Sequence, residues 1–124
     1  MALHIPAEQM AQYKRTARAR WQAEREQQDA RRERAWKLAR QAADLLKREY
    51  GVRRVMVFGS LTHSDRFTLW SDVDVAAWGL TPANWLSAIG AVNALSSEIE
   101  LNVVDVECCP PQLLAAIERE GVSL

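Results

Sequence analysis

Residues 53–78 read RRVMVFGSLTHSDRFTLWSDVDVAAW, and this stretch decides the fold. Two apolar runs rich in β-forming residues flank a polar loop, which predicts buried strands over residues 52–58 and 72–78. A Gly-Ser pair follows the first run, and an Asp-Val-Asp triplet opens the second. The chemistry of the chain is therefore expected at the two ends of this loop.

The two aspartates, Asp72 and Asp74, are two positions apart, so both side chains of a strand would point to the same face of the sheet. Adjacent carboxylates repel each other, and a hard cation such as Mg²⁺ or Mn²⁺ relieves the repulsion and is a usual partner of phosphates. Gly59 lets the backbone approach a ligand, and Ser60 adds a hydroxyl that can hold phosphate oxygens. A lone DxD is more often a solvated strand edge, and a lone Gly-Ser a turn, but their order here favours a joint metal and phosphate site.

Residues 7–50 contain neither Gly nor Pro and consist mainly of strong helix formers, which predicts one long helix. An unbroken helix would be about 66 Å long, longer than a small domain is wide, so either part of it projects or the helix bends. Apolar residues at helical spacing indicate that the second half packs on a core, whereas the first half faces a partner or solvent. The stripe of the second half comprises Trp36, Ala39, Ala43, Leu46 and Tyr50, and the thin row of the first half comprises Met10, Tyr13, Ala17 and Trp21. We therefore divide the chain into a helical arm, residues 1–35, and a folded domain, residues 36–124.

Three further elements are predicted after the second strand. Pro82 starts a helix over residues 82–96, a third strand covers residues 98–106, and a last helix runs from the Pro-Pro pair to Glu120. The inner face of the helix at 82–96 is expected to comprise Trp85, Leu86, Ile89, Val92 and Leu95. This order predicts an α/β or α+β domain with a sheet of three or four strands.

The net charge of zero, from 16 basic and 16 acidic side chains, hides an asymmetry. Residues 7–50 carry twelve basic and seven acidic side chains, and the remainder carries four and nine. The basic helix has scattered acidic residues and no clean basic face, so direct nucleic-acid binding is not expected. No apolar run is long enough to span a membrane, and the first residues do not resemble a signal peptide, so we expect a cytoplasmic protein with no membrane partner.

The pattern of FGS, eleven residues and DVD, after a helix and the strand RRVMVF, resembles the minimal nucleotidyltransferases of the DNA polymerase β superfamily. The resemblance covers residues 37–124. It implies the polymerase β-like fold, a small mixed sheet flanked by helices, here extended by a long N-terminal helix.

The same resemblance implies site residues. Gly59 and Ser60 would bind the nucleotide phosphates, together with Ser71 just before the first aspartate, and Asp72 and Asp74 would be catalytic residues that bind Mg²⁺ or Mn²⁺. The implied reaction is transfer of a nucleoside monophosphate, AMP from ATP, to a hydroxyl. Stand-alone proteins of this size often resemble antitoxins that neutralise a HEPN-domain ribonuclease toxin by modifying one of its tyrosines, so the resemblance implies a HEPN-domain protein as the partner.

The third strand departs from the family pattern. Asn102 occupies the position of the third catalytic carboxylate, and an amide carries no charge and cannot act as a base. Glu100, two residues earlier on the same face, is either a replacement metal ligand or a solvated strand-end residue. Asp105 lies on the opposite face by strand parity and is the poorer replacement.

Two alternatives therefore stay open. The chain is either an active enzyme or a catalytically weakened binding module that neutralises or scaffolds a partner through its long helix, which could also join two copies of the chain. Likewise, Trp70 either stacks on a nucleobase or packs under its own loop.

Overall fold

A computed structural model describes residues 4–124, and within them the chain forms three α-helices and one four-stranded sheet. In chain order the elements are α1 (Ala7–Tyr50), β1 (Arg54–Phe58), β2 (Val73–Trp78), α2 (Trp85–Asn93), β3 (Leu101–Asp105), α3 (Pro111–Glu120) and β4 (Val122–Ser123). Short 3-10 turns, Gly59–Thr62 and Val106–Cys108, follow β1 and β3.

Helix α1 is continuous over its 44 residues, as the absence of Gly and Pro predicts. It ends at Gly51, which adopts a left-handed conformation at φ 67° and donates its N–H to the carbonyl of Leu46. Glycine accepts this conformation without the steric cost that a Cβ brings. The cap turns the chain directly into β1.

The sheet has the order β3-β2-β1-β4 and is mixed. Strand β1 is antiparallel to both β2 and β4, whereas β2 and β3 run parallel. The α2 crossover supplies the connection that a parallel pair requires. The fold is therefore α+β, which confirms the predicted class.

Each face of the sheet is covered. On one face, buried valines, among them Val55 and Val75, pack with the alanine and leucine stripe of α1. On the other face, Met56 and Ala76 pack with Ile117 of α3. Because side chains alternate along β2, Asp74 lies on the same face as Ala76, the face that α3 covers.

Helix α2 is shorter than the predicted 82–96, and its predicted inner face is wrong in part. Trp85 is 43% exposed and Leu86 is 70% exposed, whereas Val92 is buried. Two large apolar side chains of α2 therefore face solvent. Strand β4 was not predicted.

The first half of α1 projects from the domain. The first buried residue of the helix is Arg31, whereas Tyr13 is 67% exposed and Trp21 is 63% exposed. Within residues 4–124, no helix combines the length and the apolarity that crossing a membrane requires.

Candidate functional site

The Gly-Ser turn, the DxD pair and Asn102 converge at one end of the sheet. Phe58, the last residue of β1, lies opposite Asp74 of β2, and Asp74 in turn lies opposite Asn102 of β3. Gly59 follows Phe58 directly, so the Gly-Ser turn lies next to Asp74. The strand register therefore assembles residues that are far apart in the sequence.

Gly59 is held against the carboxylate of Asp74. Its φ of 76° lies in the left-handed region, and a Cβ placed on it would lie 2.6 Å from Oδ2 of Asp74. A real Cβ does not approach an oxygen so closely, so only glycine fits here. Thr62 closes the turn by donating its Oγ1 hydroxyl to the carbonyl of Gly59 at 2.8 Å, and half-buried Ser60 lies within the same turn.

Asn102 is hydrogen-bonded to Asp74. Its Nδ2 donates to Oδ1 of the carboxylate at 3.1 Å. Burial raises the pKa of Asp74 above its ordinary value of 3.8, the hydrogen bond from Asn102 lowers it in part, and the neighbouring charge of Asp72 raises it. The net effect is that the ionised form of Asp74 is disfavoured, and a bound cation would relieve that cost.

Asp72 precedes β2 by one residue and is half-buried. It lines a cavity of about 360 Å³ that also contains Glu98 and Glu100. Glu100 is exposed and is anchored through its backbone, whose carbonyl accepts the N–H of Val73 at 2.9 Å. In the described part of the chain, no three His, Cys, Asp or Glu side chains form a group that could hold a metal. Glu100 therefore does not complete a three-carboxylate site with Asp72 and Asp74.

The donor set nevertheless suits one hard cation. Mg²⁺ is commonly bound by one or two carboxylates together with substrate phosphates and water, rather than by a complete protein cage. Asp72 and Asp74 would supply the carboxylates, and the turn after Phe58 adjoins Asp74. A second metal that depends on a third carboxylate has no matching ligand at Asn102.

Ser71 and Asp105 are engaged locally. The Ser71 hydroxyl accepts the N–H of Thr68 at 2.9 Å and lies 3.2 Å from the Thr68 hydroxyl, so it shapes the loop before the DxD pair. Asp105 accepts the N–H of Glu107 at 3.1 Å and thereby caps the turn after β3. Asp105 also lies on the sheet face opposite to Asn102, as strand parity predicts.

Trp70 is 90% exposed, so the interpretation that it packs under its own loop is wrong. It lies beside Glu24 and Gln28 of α1, where the helix leaves the domain. The indole is thus presented to solvent one residue before Ser71, at the border of the site.

Two arginines that sequence analysis missed hold both ends of the site loop. Arg31 donates from Nη2 to the carbonyl of Ser71 at 3.1 Å, and Arg32 donates from Nη2 to the carbonyl of Leu61 at 3.1 Å. The signal for Arg31 was available, because it lies four residues before Ala35 and continues the apolar stripe of α1. A charged residue in such a stripe predicts a buried group with a specific partner.

The comparisons with known proteins support the fold. No family model matches the chain, and no curated protein matches it. Solved structures do match, among them the toxin–antitoxin MntA–HpeT with a tyrosine-to-alanine mutation, the same complex with two aspartates changed to glutamates, and a toxin–antitoxin with AMP-PNP.

The three likenesses are similar in extent. The TM-scores are 0.55, 0.56 and 0.54, at 18%, 15% and 16% sequence identity, respectively. They cover 68%, 68% and 67% of this chain and 69%, 70% and 69% of the matching chains. Over about two thirds of its length, the chain therefore shares the fold of these three solved structures.

Proposed function

We propose that the chain is a nucleotidyltransferase that transfers AMP from ATP to a hydroxyl of a partner protein, a tyrosine of a HEPN-domain toxin, with pyrophosphate as the leaving group. The observation that carries the proposal is the contact between the glycine turn and the DxD pair. Gly59 is packed so closely on Asp74 that a phosphate held by the turn would lie beside the carboxylates. A phosphate site and a cation site in contact are what nucleotidyl transfer requires.

Two of the similar structures support this function. One was crystallised with AMP-PNP, an analogue of ATP, and another carries glutamates in place of two aspartates. Those aspartates are two positions apart, the spacing of Asp72 and Asp74. Both proteins are toxin–antitoxin complexes, which supports a toxin as the partner here.

Each site residue has a defined role in the proposal. The turn that begins at Gly59 offers backbone N–H groups and the Ser60 hydroxyl to the phosphates. Asp72 and Asp74 would hold one Mg²⁺ or Mn²⁺, which neutralises phosphate charge when bound. Asn102 orients Asp74 through its amide but carries no negative charge. The site therefore has no third carboxylate to help remove the proton of the acceptor hydroxyl, and slow transfer is expected.

The test is transfer of label from α-labelled ATP to the product of the neighbouring gene, with Mg²⁺ or Mn²⁺ present. Transfer should disappear in Asp72→Ala and persist in Asp65→Ala, a matched control because Asp65 is an exposed carboxylate of the same loop. Asn102→Asp should raise the rate by roughly tenfold or more, since it restores a third carboxylate. Unchanged transfer by Asp72→Ala would refute the metal assignment.

The hydrogen bond between Asn102 and Asp74 favours a second candidate, a binding module with little activity. It satisfies a carboxylate oxygen that a metal would otherwise use. In that case the natural protein binds the toxin but transfers no label, and Asn102→Asp gains transfer without changing the affinity for the toxin. Detectable transfer by the natural protein decides for the enzyme.

A further inference from the structure

The projecting half of α1 carries an apolar row without a partner among residues 4–124. We call Tyr13, Ala17 and Trp21 the arm row; they are spaced at helical intervals, and the two aromatic side chains are 67% and 63% exposed. The same segment, residues 13–21, contains four basic side chains and no acidic one. An isolated helix gains little from exposed aromatics, so this pattern indicates a docking surface for an apolar and acidic site.

The domain has a surface of that kind beside strand β3. A cavity of about 650 Å³ lies between α2 and the start of α3, and β3 is an edge strand of the sheet. Its apolar lining includes Leu80, Trp85, Ile89, Val103 and Leu113. We call this cavity the β3 groove. Trp85, the aromatic residue of this lining, is 43% exposed.

The β3 groove is negative as well as apolar. Asp105 and Glu107 line it, and none of the described residues that line it is a Lys or Arg. The negative charges also raise the pKa of the Cys108 thiol, foremost through the carboxylate of Asp105. The groove therefore complements the arm row and its basic flanks in both apolarity and charge.

A chain cannot place its own arm in its own groove. Helix α1 is continuous, and Arg31 anchors it to the carbonyl of Ser71, so the arm extends roughly 36 Å away from that anchor. We propose that the arm row of one chain docks in the β3 groove of a second copy, and that the second copy returns its arm to the first. Such a reciprocal exchange closes as a two-fold dimer and leaves no free arm or groove.

The proposal does not depend on the transfer reaction, so it can be tested by the mass of the full chain in solution. Sedimentation velocity should show a dimer. Arg18→Glu in the arm and Glu107→Lys in the groove should each raise the dimer dissociation constant at least about tenfold, because each places like charges together. Asp65→Lys, outside both surfaces, should leave the dimer intact.

Mixing the two variants gives the decisive result. In a mixed dimer the unchanged arm of Glu107→Lys meets the unchanged groove of Arg18→Glu, and the two substituted positions, which now carry opposite charges, meet each other. The mixture should therefore recover dimers that neither variant forms alone. Circular dichroism should show both variants folded. A natural chain that stays monomeric at about 100 μM, a concentration that populates typical homodimers, would overturn the proposal. So would a dimer unaffected by Glu107→Lys, because the arms would then pair with each other.

Discussion

At the scale of single residues, Gly59 sets the distance between the turn and Asp74. We expect Gly59→Ala to lower the free energy of unfolding by about 1–3 kcal/mol, because alanine is strained at this φ and its Cβ meets the carboxylate. ATP binding should be lost as the carboxylate moves. Urea unfolding and titration calorimetry with ATP measure the two effects.

Gly51→Ala is the matched control for Gly59. Gly51 has a similar φ of 67°, but a Cβ there meets nothing within 4 Å. The control should therefore show backbone strain, about 1 kcal/mol, and normal ATP binding. Equal ATP binding by both variants would mean that contact with Asp74 is irrelevant to the site.

The raised pKa of Asp74 predicts a pH dependence of stability. Because the folded state binds this proton more tightly than the unfolded state, the stability contributed by the protonated group falls as pH rises above the ordinary pKa of 3.8. Asp74→Asn removes the titrating group while keeping an acceptor for Asn102. Its stability relative to the natural chain should therefore increase between about pH 4 and pH 7.

Urea unfolding of the two proteins at both pH values measures this difference. At about pH 7, added Mg²⁺ should stabilise the natural chain more than Asp74→Asn, because binding to the folded state alone raises stability. A pH-independent difference would show that the carboxylate titrates normally, and an equal response to Mg²⁺ would exclude it as a ligand.

The sequence was sufficient to predict the neighbourhood of Gly59 and Asp74 but not their contact. The apolar runs and the polar loop predicted two strands joined at this point, and the resemblance predicted the residue roles. The distance depends on a register set by all of β1 and β2, and no local pattern contains it. The bond from Asn102 depends likewise on the parallel pairing with β3.

At the scale of elements, α1 controls the site loop through Arg31. We expect Arg31→Ala to cost about 1.5–3 kcal/mol, since it removes a charged hydrogen bond from a buried side chain. Faster hydrogen exchange should follow in residues near Ser71. Urea unfolding and hydrogen exchange by mass spectrometry are the measurements.

Arg34→Ala is the matched control, because Arg31 and Arg34 both lie near Glu98. The distance to the Glu98 carboxylate is 3.9 Å for Arg31 and is shorter for Arg34. Arg34 lies 2.6 Å from Glu98, but both side chains are 51% exposed, whereas the side chain of Arg31 is only 11% exposed. Solvent weakens the exposed pair, so the control should cost no more than about 1 kcal/mol. A larger loss in Arg34→Ala than in Arg31→Ala would contradict the burial argument.

The elements themselves were predicted with uneven success, for physical reasons. Helix α1 was predicted to the residue, because its sequence contains no helix breaker and Gly51 follows it. Helix α2 was predicted too long, since its apolar residues were counted as core although Trp85 and Leu86 face solvent. Strand β4 has two residues and exists only through pairing with β1, so nothing in its own sequence marks it.

At the scale of the whole molecule, the arm should determine how stability depends on concentration. If two copies exchange arms, the midpoint of thermal unfolding must rise with protein concentration, because association favours the folded state. The double variant Tyr13→Ser, Trp21→Ser should lose this dependence and keep its helical circular dichroism. Scanning calorimetry over a wide concentration range provides the test, and a midpoint independent of concentration in the natural chain would count against exchange.

The charge asymmetry follows the architecture. The four basic side chains of residues 13–21 lie on the projecting helix, and the acidic remainder includes the DxD pair and the rim of the β3 groove. The division into an arm, 1–35, and a domain, 36–124, stays a prediction. Helix α1 runs through that boundary without a break, and burial against the domain begins at Arg31.

The pairing of Asn102 with Asp74 also has an evolutionary consequence. Codons for asparagine and aspartate differ by a single base, so one point mutation separates the two forms of this site. With asparagine at position 102 the site is stable without a metal, because the amide donates a hydrogen bond to the carboxylate of Asp74. The carboxylate form would face Asp74 with like charge and would be tolerated only where cation is plentiful. A lineage thus gains or loses the third carboxylate of the proposed site in one step, while the fold stays the same.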